Sequence, residues 1–210
     1  RTIFYRPTKE KLEYGVQYTI QTGESDATTI KFQTSIQNIG ITKDKTNYII
    51  EVDRTTTTYF NDEDTSIIVD ELALKVASVL YPLQIMATPQ GQWIGMCNYD
   101  EITKRWDTVK EELNKEYEGE WIDNYIALNE STLADETLLY QSLKKDWFLA
   151  AYFNHIYINH TDEYKVQRDI FFFFFATISP LQFAISQTMN EYLDDNGNVV
   201  IHQNGVVNDD

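Results

Sequence analysis

The sequence contains a single cysteine, Cys97, among 210 residues. One thiol excludes an internal disulfide and any thiolate metal cluster. Glycine is scarce, at 8 residues. No phosphate-cradling Gly loop and no Gly-x-Ser-x-Gly elbow occurs. Basic residues are also few, 17 against 33 acidic, giving a formal charge of -16. A phosphate backbone needs a basic footprint, so this balance excludes nucleic acid as the expected partner. It argues equally against docking on anionic lipid. The longest apolar run, Ile170–Ala176, falls far short of a membrane span, so no transmembrane segment is expected.

Histidine is rarer still. His155 and His160 stand five apart, a poor fit to the i, i+4 spacing that presents two ligands on one helical face; His202 is distant in sequence. The expectation is a hydrogen-bonded imidazole and no metal. Acidic residues are plentiful and form chance clusters. Asp62-Glu63-Asp64 lacks the spaced oxygens and internal glycine of a calcium loop, and turn chemistry accounts for Asp194-Asp195-Asn196-Gly197. Cys97 reads as a small buried hydrophobe rather than a nucleophile. Asn129-Glu130-Ser131 and Asn159-His160-Thr161 match the glycosylation acceptor pattern, which is too short and common to carry weight. The sequence therefore predicts neither an enzymatic activity nor a bound cofactor.

What is present is patterning. Tyr14–Thr22 alternates Tyr14, Val16, Tyr18 and Ile20 with polar residues and glycine, the period of a half-buried strand. Residues 28–39 repeat the alternation, and 48–58 form a third expected strand ending in a threonine run. Gly23–Asp26 and Thr42–Asn47 supply turns, completing a meander. From Asp70 the period becomes helical, with Leu72, Val76, Val79 and Leu80 on one stripe and Pro82 as terminator. Short strands are expected at 83–88 and 92–97 around Pro89-Gln90-Gly91.

The clearest helix carries Ile102, Trp106, Val109, Leu113 and Tyr117 opposite a Lys/Glu face. Asn98 or Asp100 is expected to cap its start and Gly119 to end it. A further helical turn is expected over 121–129. Another helix is expected to be capped by Ser131 or Thr132, and an aromatic buried helix to cover 147–157. The last stretch returns to alternation at Leu181–Met189, followed by a type I′ turn at Asn196-Gly197 and a return strand at 199–203.

Strands and helices in separate runs indicate α+β, with a curved antiparallel sheet and a helical layer on one face. No clean linker appears, so one α+β domain over 1–210 is expected. The first residue is Arg1 and the last segment ends directly after a strand, so truncation is expected at both ends.

The aromatic-rich segments are the candidate binding features. Phe171, Phe173 and Phe175 lie in the run Phe171–Phe175, Trp93 in an expected strand, and Trp121 at the start of an expected helix. In a strand the Phe run turns rings to both faces, which requires burial on both sides or a covering partner. The ordinary reading is a central strand under the helical layer. The functional reading is a binding edge or the lining of an apolar pocket.

The stretches Asp70–Ala73 through Tyr81–Gln84, Trp93–Gly95, Trp106 with Glu118–Trp121, Leu143–Phe148 and Gln203–Asp209 resemble uncharacterised proteins of Bacteroidota, some associated with loci of contractile, type VI-like secretion systems. The resemblance implies a bacterial protein, cytoplasmic or delivered with a secretion apparatus, that serves as subunit, adaptor or effector-loading module. No functional residue is carried over with it. The leading expectation is thus a protein–protein interaction module whose partner presents a basic surface. The second is a binder of a small apolar ligand. The third is a carboxylate-dependent hydrolase, which needs acids converging in one pocket.

Overall fold

A computed structural model describes residues 2–21, 23–63, 68–172 and 179–207. The architecture is α+β, built from antiparallel sheets with a helical layer. Although the sequence offers no linker, its contacts divide into two compact units, Arg6–Lys144 and Arg1–Tyr5 with Lys145–Asp210.

In the larger unit the predicted meander is present as β1 (Leu12–Ile20), β2 (Thr28–Ile41) and β3 (Tyr48–Arg54). Pairing places Val16 opposite Phe32 and Ile36 opposite Val52, so the apolar members of the alternation share one face. The third strand is shorter than its threonine run suggests. It stops at Arg54, and residues 55–58 leave the β3 line toward β4 (Tyr59–Phe60), which pairs with β2. Thr55 N–H donates to the Gln33 carbonyl, and Gln33 N–H donates to Thr56 Oγ1. The threonines thus bond to β2 instead of extending β3.

Helix α1 (Ile68–Ser78) precedes β5 (Leu83–Ala87) and β6 (Trp93–Met96), giving the path β1-β2-β3-β5-β6 with β4 beside β2. Then come α2 (Tyr99–Glu116), α3 (Glu120–Leu133) and α4 (Glu136–Leu143). The core joins Ile50, Val52, Leu83 and Ile85 of the sheet with Leu72, Ile102, Trp106, Leu113 and Ile122 of the helices and Val79 just after α1, all nearly or fully buried. Burying each such side chain contributes about 1.5–3 kcal/mol before chain entropy is counted.

One helix boundary falls where the sequence puts it and two correct the sequence. Asn98 is the N-cap residue of α2, but its side chain ties the helix to β5, accepting from Gln84 N–H and donating to the Pro82 carbonyl. Gly119 does not end α2; it starts α3 at φ 113°, a conformation that favours glycine. Helix α3 then runs through Ser131 and Thr132, and the cap of the next helix is Asp135, whose carboxylate accepts from Leu138 N–H.

The smaller unit contains α5 (Trp147–Tyr152), far shorter than the buried helix expected over 147–157. Its sheet consists of β7 (Lys165–Phe172), β8 (Leu181–Met189) and β9 (Ile201–Val207), in that order. The Phe-bearing strand β7 is therefore an edge of the described sheet, not its centre. The turn before β9 is also not type I′. Asn196 keeps an ordinary φ, and Gly197 alone takes a positive one, at 80°. Gly197 N–H donates to the Asp194 carbonyl, while the Asp194 carboxylate accepts from Asn196 and Asn198 N–H. An aspartate-closed turn replaces the Asn-Gly one.

Candidate functional site

The aromatics selected from the sequence fall into different settings. Phe173 and Phe175 lie outside the described residues. Trp93 is a core residue, 6% exposed, with its indole N–H on the Gly95 carbonyl and its ring edge-on to Tyr140 at 5.2 Å. Lys144 Nζ sits 4.9 Å from the Tyr140 ring centre, closing that cluster. Trp121 is half exposed on α3 and meets Tyr117 edge-on at 5.7 Å. Phe171 is the most open of these described aromatics, at 66%. The described contacts do not gather them into one site.

The setting of Phe171 explains its exposure. Strand register puts Lys165, Gln167, Asp169 and Phe171 on one face with Ser186, Ala184, His202, Asn204 and Val206 of the neighbouring strands. That face is largely exposed, and Val206 on it is 72% open. The opposite face carries Val166, Arg168, Ile170 and Phe172 against Ile185 and Phe183, and these are half-buried or buried. Phe172 meets Phe183 edge-on at 6.4 Å.

A polar chain crosses the covered face. Gln187, fully buried, donates its amide N–H to His160 Nε2 at 3.0 Å and accepts from Arg168 at 3.4 Å. Arg168 also donates to Asn154 Oδ1 at 2.7 Å, and Asn154 donates to Gln203 Oε1 of β9 at 2.8 Å. An amide N–H can only donate, so His160 Nε2 accepts and the ring is neutral there. Burial pushes the His160 imidazole below its ordinary value and holds the Arg168 guanidinium below its own. His155 and His202 are exposed. The lone buried imidazole is a structural link that fixes β8 to the segment before β7.

Beyond Val206, β9 exposes nearly its whole length, and its outer edge has no paired strand among the described residues. Such an edge is a ready template for one more strand. Cys97, expected buried, is exposed, although surrounding protein still pushes its thiol up.

The larger unit contains a second candidate. Where β3 gives way to the threonine run, a cleft of about 320 Å³ opens between Asp53, Arg54, Thr57 and Thr58 on one side and Ala77, Ser78 and Tyr81 on the other. The Arg54 guanidinium lies 4.1 Å from the Phe32 ring centre and 5.0 Å from that of Tyr81. The lining is rich in hydroxyls rather than in the Phe, Tyr and Trp expected of an apolar-ligand pocket. Its carboxylate is Asp53. None of the sequence-selected residues lines it. A run of threonines gives no sequence signal for a pocket wall.

No group of three or more His, Cys, Asp or Glu among the described residues is placed to hold a metal ion. No helix among them is long and apolar enough to cross a membrane.

No family model, curated protein or solved structure matches this chain.

Proposed function

We propose that the protein is an interaction module that binds an extended, basic segment of a partner polypeptide along β9. The observation that carries this reading is the open edge of β9, with Val206 and Val207 exposed beside it. Strand addition would draw affinity from main-chain hydrogen bonds and specificity from alternate side chains. Charge selects the partner's sign. The smaller unit has nine acidic residues against four basic ones, within a chain of net charge -16. A Lys/Arg-bearing strand is attracted to that field, and its on-rate is salt-sensitive. The resemblance to proteins of secretion loci supports the same reading, as a subunit or adaptor of a larger assembly.

The test uses two labelled strand peptides, Lys-Val alternating and Glu-Val alternating, titrated by fluorescence anisotropy. The Lys peptide is expected to bind with affinity that falls as salt rises, and the Glu peptide to stay free. Binding of neither peptide, or equal binding of both, contradicts the proposal.

A further inference from the structure

Helix α3 is apolar over more of its circumference than the core covers. Ile122, Ile126 and Leu133 are buried within the larger unit. With about 3.6 residues per turn, Trp121, Tyr125 and Leu128 form a second stripe beside them, spaced i, i+4, i+7. That stripe is open: Trp121 is 50% exposed and Leu128 71%, with Tyr125 half-buried between them. Single exposed apolar side chains are ordinary, but three aligned on one helix mark an interaction face. Trp121 is also fixed in place. Its ring meets Tyr117 edge-on at 5.7 Å, and its Cδ1 lies 3.4 Å from the point where a Cβ on Gly119 would stand. An aromatic anchor held beforehand loses little freedom on binding.

Charge says what covers the stripe. Residues 116–136 hold seven acidic side chains and no basic one. Lys110 of α2 neutralises one of them, donating to Glu130 at 2.8 Å. Glu116, Glu118, Glu120, Asp123, Asp135 and Glu136 are left exposed along the same segment. A second copy of this acidic chain and an anionic bilayer are both repelled. We propose that this face docks an amphipathic helix of a partner protein, with apolar anchors on one side and Lys or Arg flanking them. The anchors lie against Trp121, Tyr125 and Leu128, and the cations reach the Trp121 ring and the acids beside it. The site lies in the larger unit and stands independently of strand docking at β9.

The test is an amide and indole chemical-shift titration of the labelled full chain with three helical peptides of equal length. One carries Leu at i, i+3, i+4 and i+7 with Lys on the remaining face. The second replaces Lys by Glu, and the third scrambles the Lys peptide so that no apolar face remains. The amphipathic Lys peptide is expected to give saturable shifts at the Trp121 indole N–H and at amides within Glu120–Leu133, with affinity that falls as salt rises. The other two are expected to bind roughly tenfold more weakly or worse. Trp121→Ala and Leu128→Ser are each expected to weaken binding about tenfold. Leu128→Ser, at the more open position, tests the face even should Trp121→Ala disturb the joint between α2 and α3. No shift on α3, equal binding of the scrambled or the Glu peptide, or unchanged affinity in the folded variants overturns the proposal. So does self-association of the free chain, or binding to phosphatidylcholine vesicles, that Trp121→Ala or Leu128→Ser abolishes, because the stripe then belongs to a second copy or to a bilayer.

Discussion

The Cδ1 atom of Ile185 lies 2.5 Å from the point where a Cβ on Gly205 would stand. Gly205 pairs with Ile185 across β8 and β9, so the glycine lets the buried isoleucine lie against the backbone of the edge strand. Glycine within a strand is normally a weakness, by roughly 0.5–1 kcal/mol. Here the close approach outweighs it. Gly205→Ala gains that propensity but forces the buried Ile185 to shift, at about 1–3 kcal/mol. The expected net effect is a loss of roughly 1 kcal/mol in chemical denaturation, and a larger loss for Gly205→Val. Unchanged or increased stability would show that Ile185 swings aside freely.

Gln187 is expected to be the most sensitive polar residue of the smaller unit. Gln187→Leu keeps the volume but strips His160 Nε2 of its amide donor and leaves Arg168 with Asn154 alone of its two acceptors. An unsatisfied buried group costs about 1–3 kcal/mol. A drop of that size in denaturation midpoint energy checks it, and the double variant with His160→Leu is expected to recover part of the loss.

The buried imidazole predicts a pH dependence with a definite sign. Burial depresses the folded-state value of His160, so the unfolded chain binds the proton more readily. Its contribution is fully present above the ordinary histidine value of about 6.5 and is lost as pH falls through that value toward the lowered one. Protonation would also remove the acceptor that Gln187 uses. Stability measured from neutral to mildly acidic pH is expected to fall, and less steeply in His160→Gln. Equal slopes in both proteins would contradict this account.

Helix caps give a sharper contrast. Asp135 and Asp146 accept from Leu138 and Leu149 N–H, so Asp135→Ala and Asp146→Ala are each expected to cost about 1 kcal/mol. Ser131→Ala is expected to be nearly neutral, because its hydroxyl only bonds back to the Leu128 carbonyl within α3. Thermal unfolding of the three variants separates these outcomes.

That contrast shows where the sequence was readable. Alternation located β1, β2 and β8 because each buries one face, and the stripe Ile102, Trp106 and Leu113 located α2 for the same reason. Ser131 and Thr132 misled because their capping chemistry is the same wherever they sit; only the continuing α3 ladder shows that they are interior. The threonine run of 55–58 has strand propensity, but pairing with Gln33 redirects it, a long-range event that no local pattern carries. The Phe run suggested a central strand. The alternation Lys165, Gln167, Asp169 ahead of it was the available signal for an edge strand with one open face. The cleft was not legible at all, since its walls come from segments some twenty residues apart.

Amide hydrogen exchange on the full chain, with and without the Lys-Val peptide, tests the central claim most directly. Strand addition at β9 predicts slower exchange confined to backbone amides within Gln203–Val207, with Lys165–Phe172 of β7 unchanged. Protection that appears on β7 alone, or nowhere in the three-stranded sheet, would contradict it.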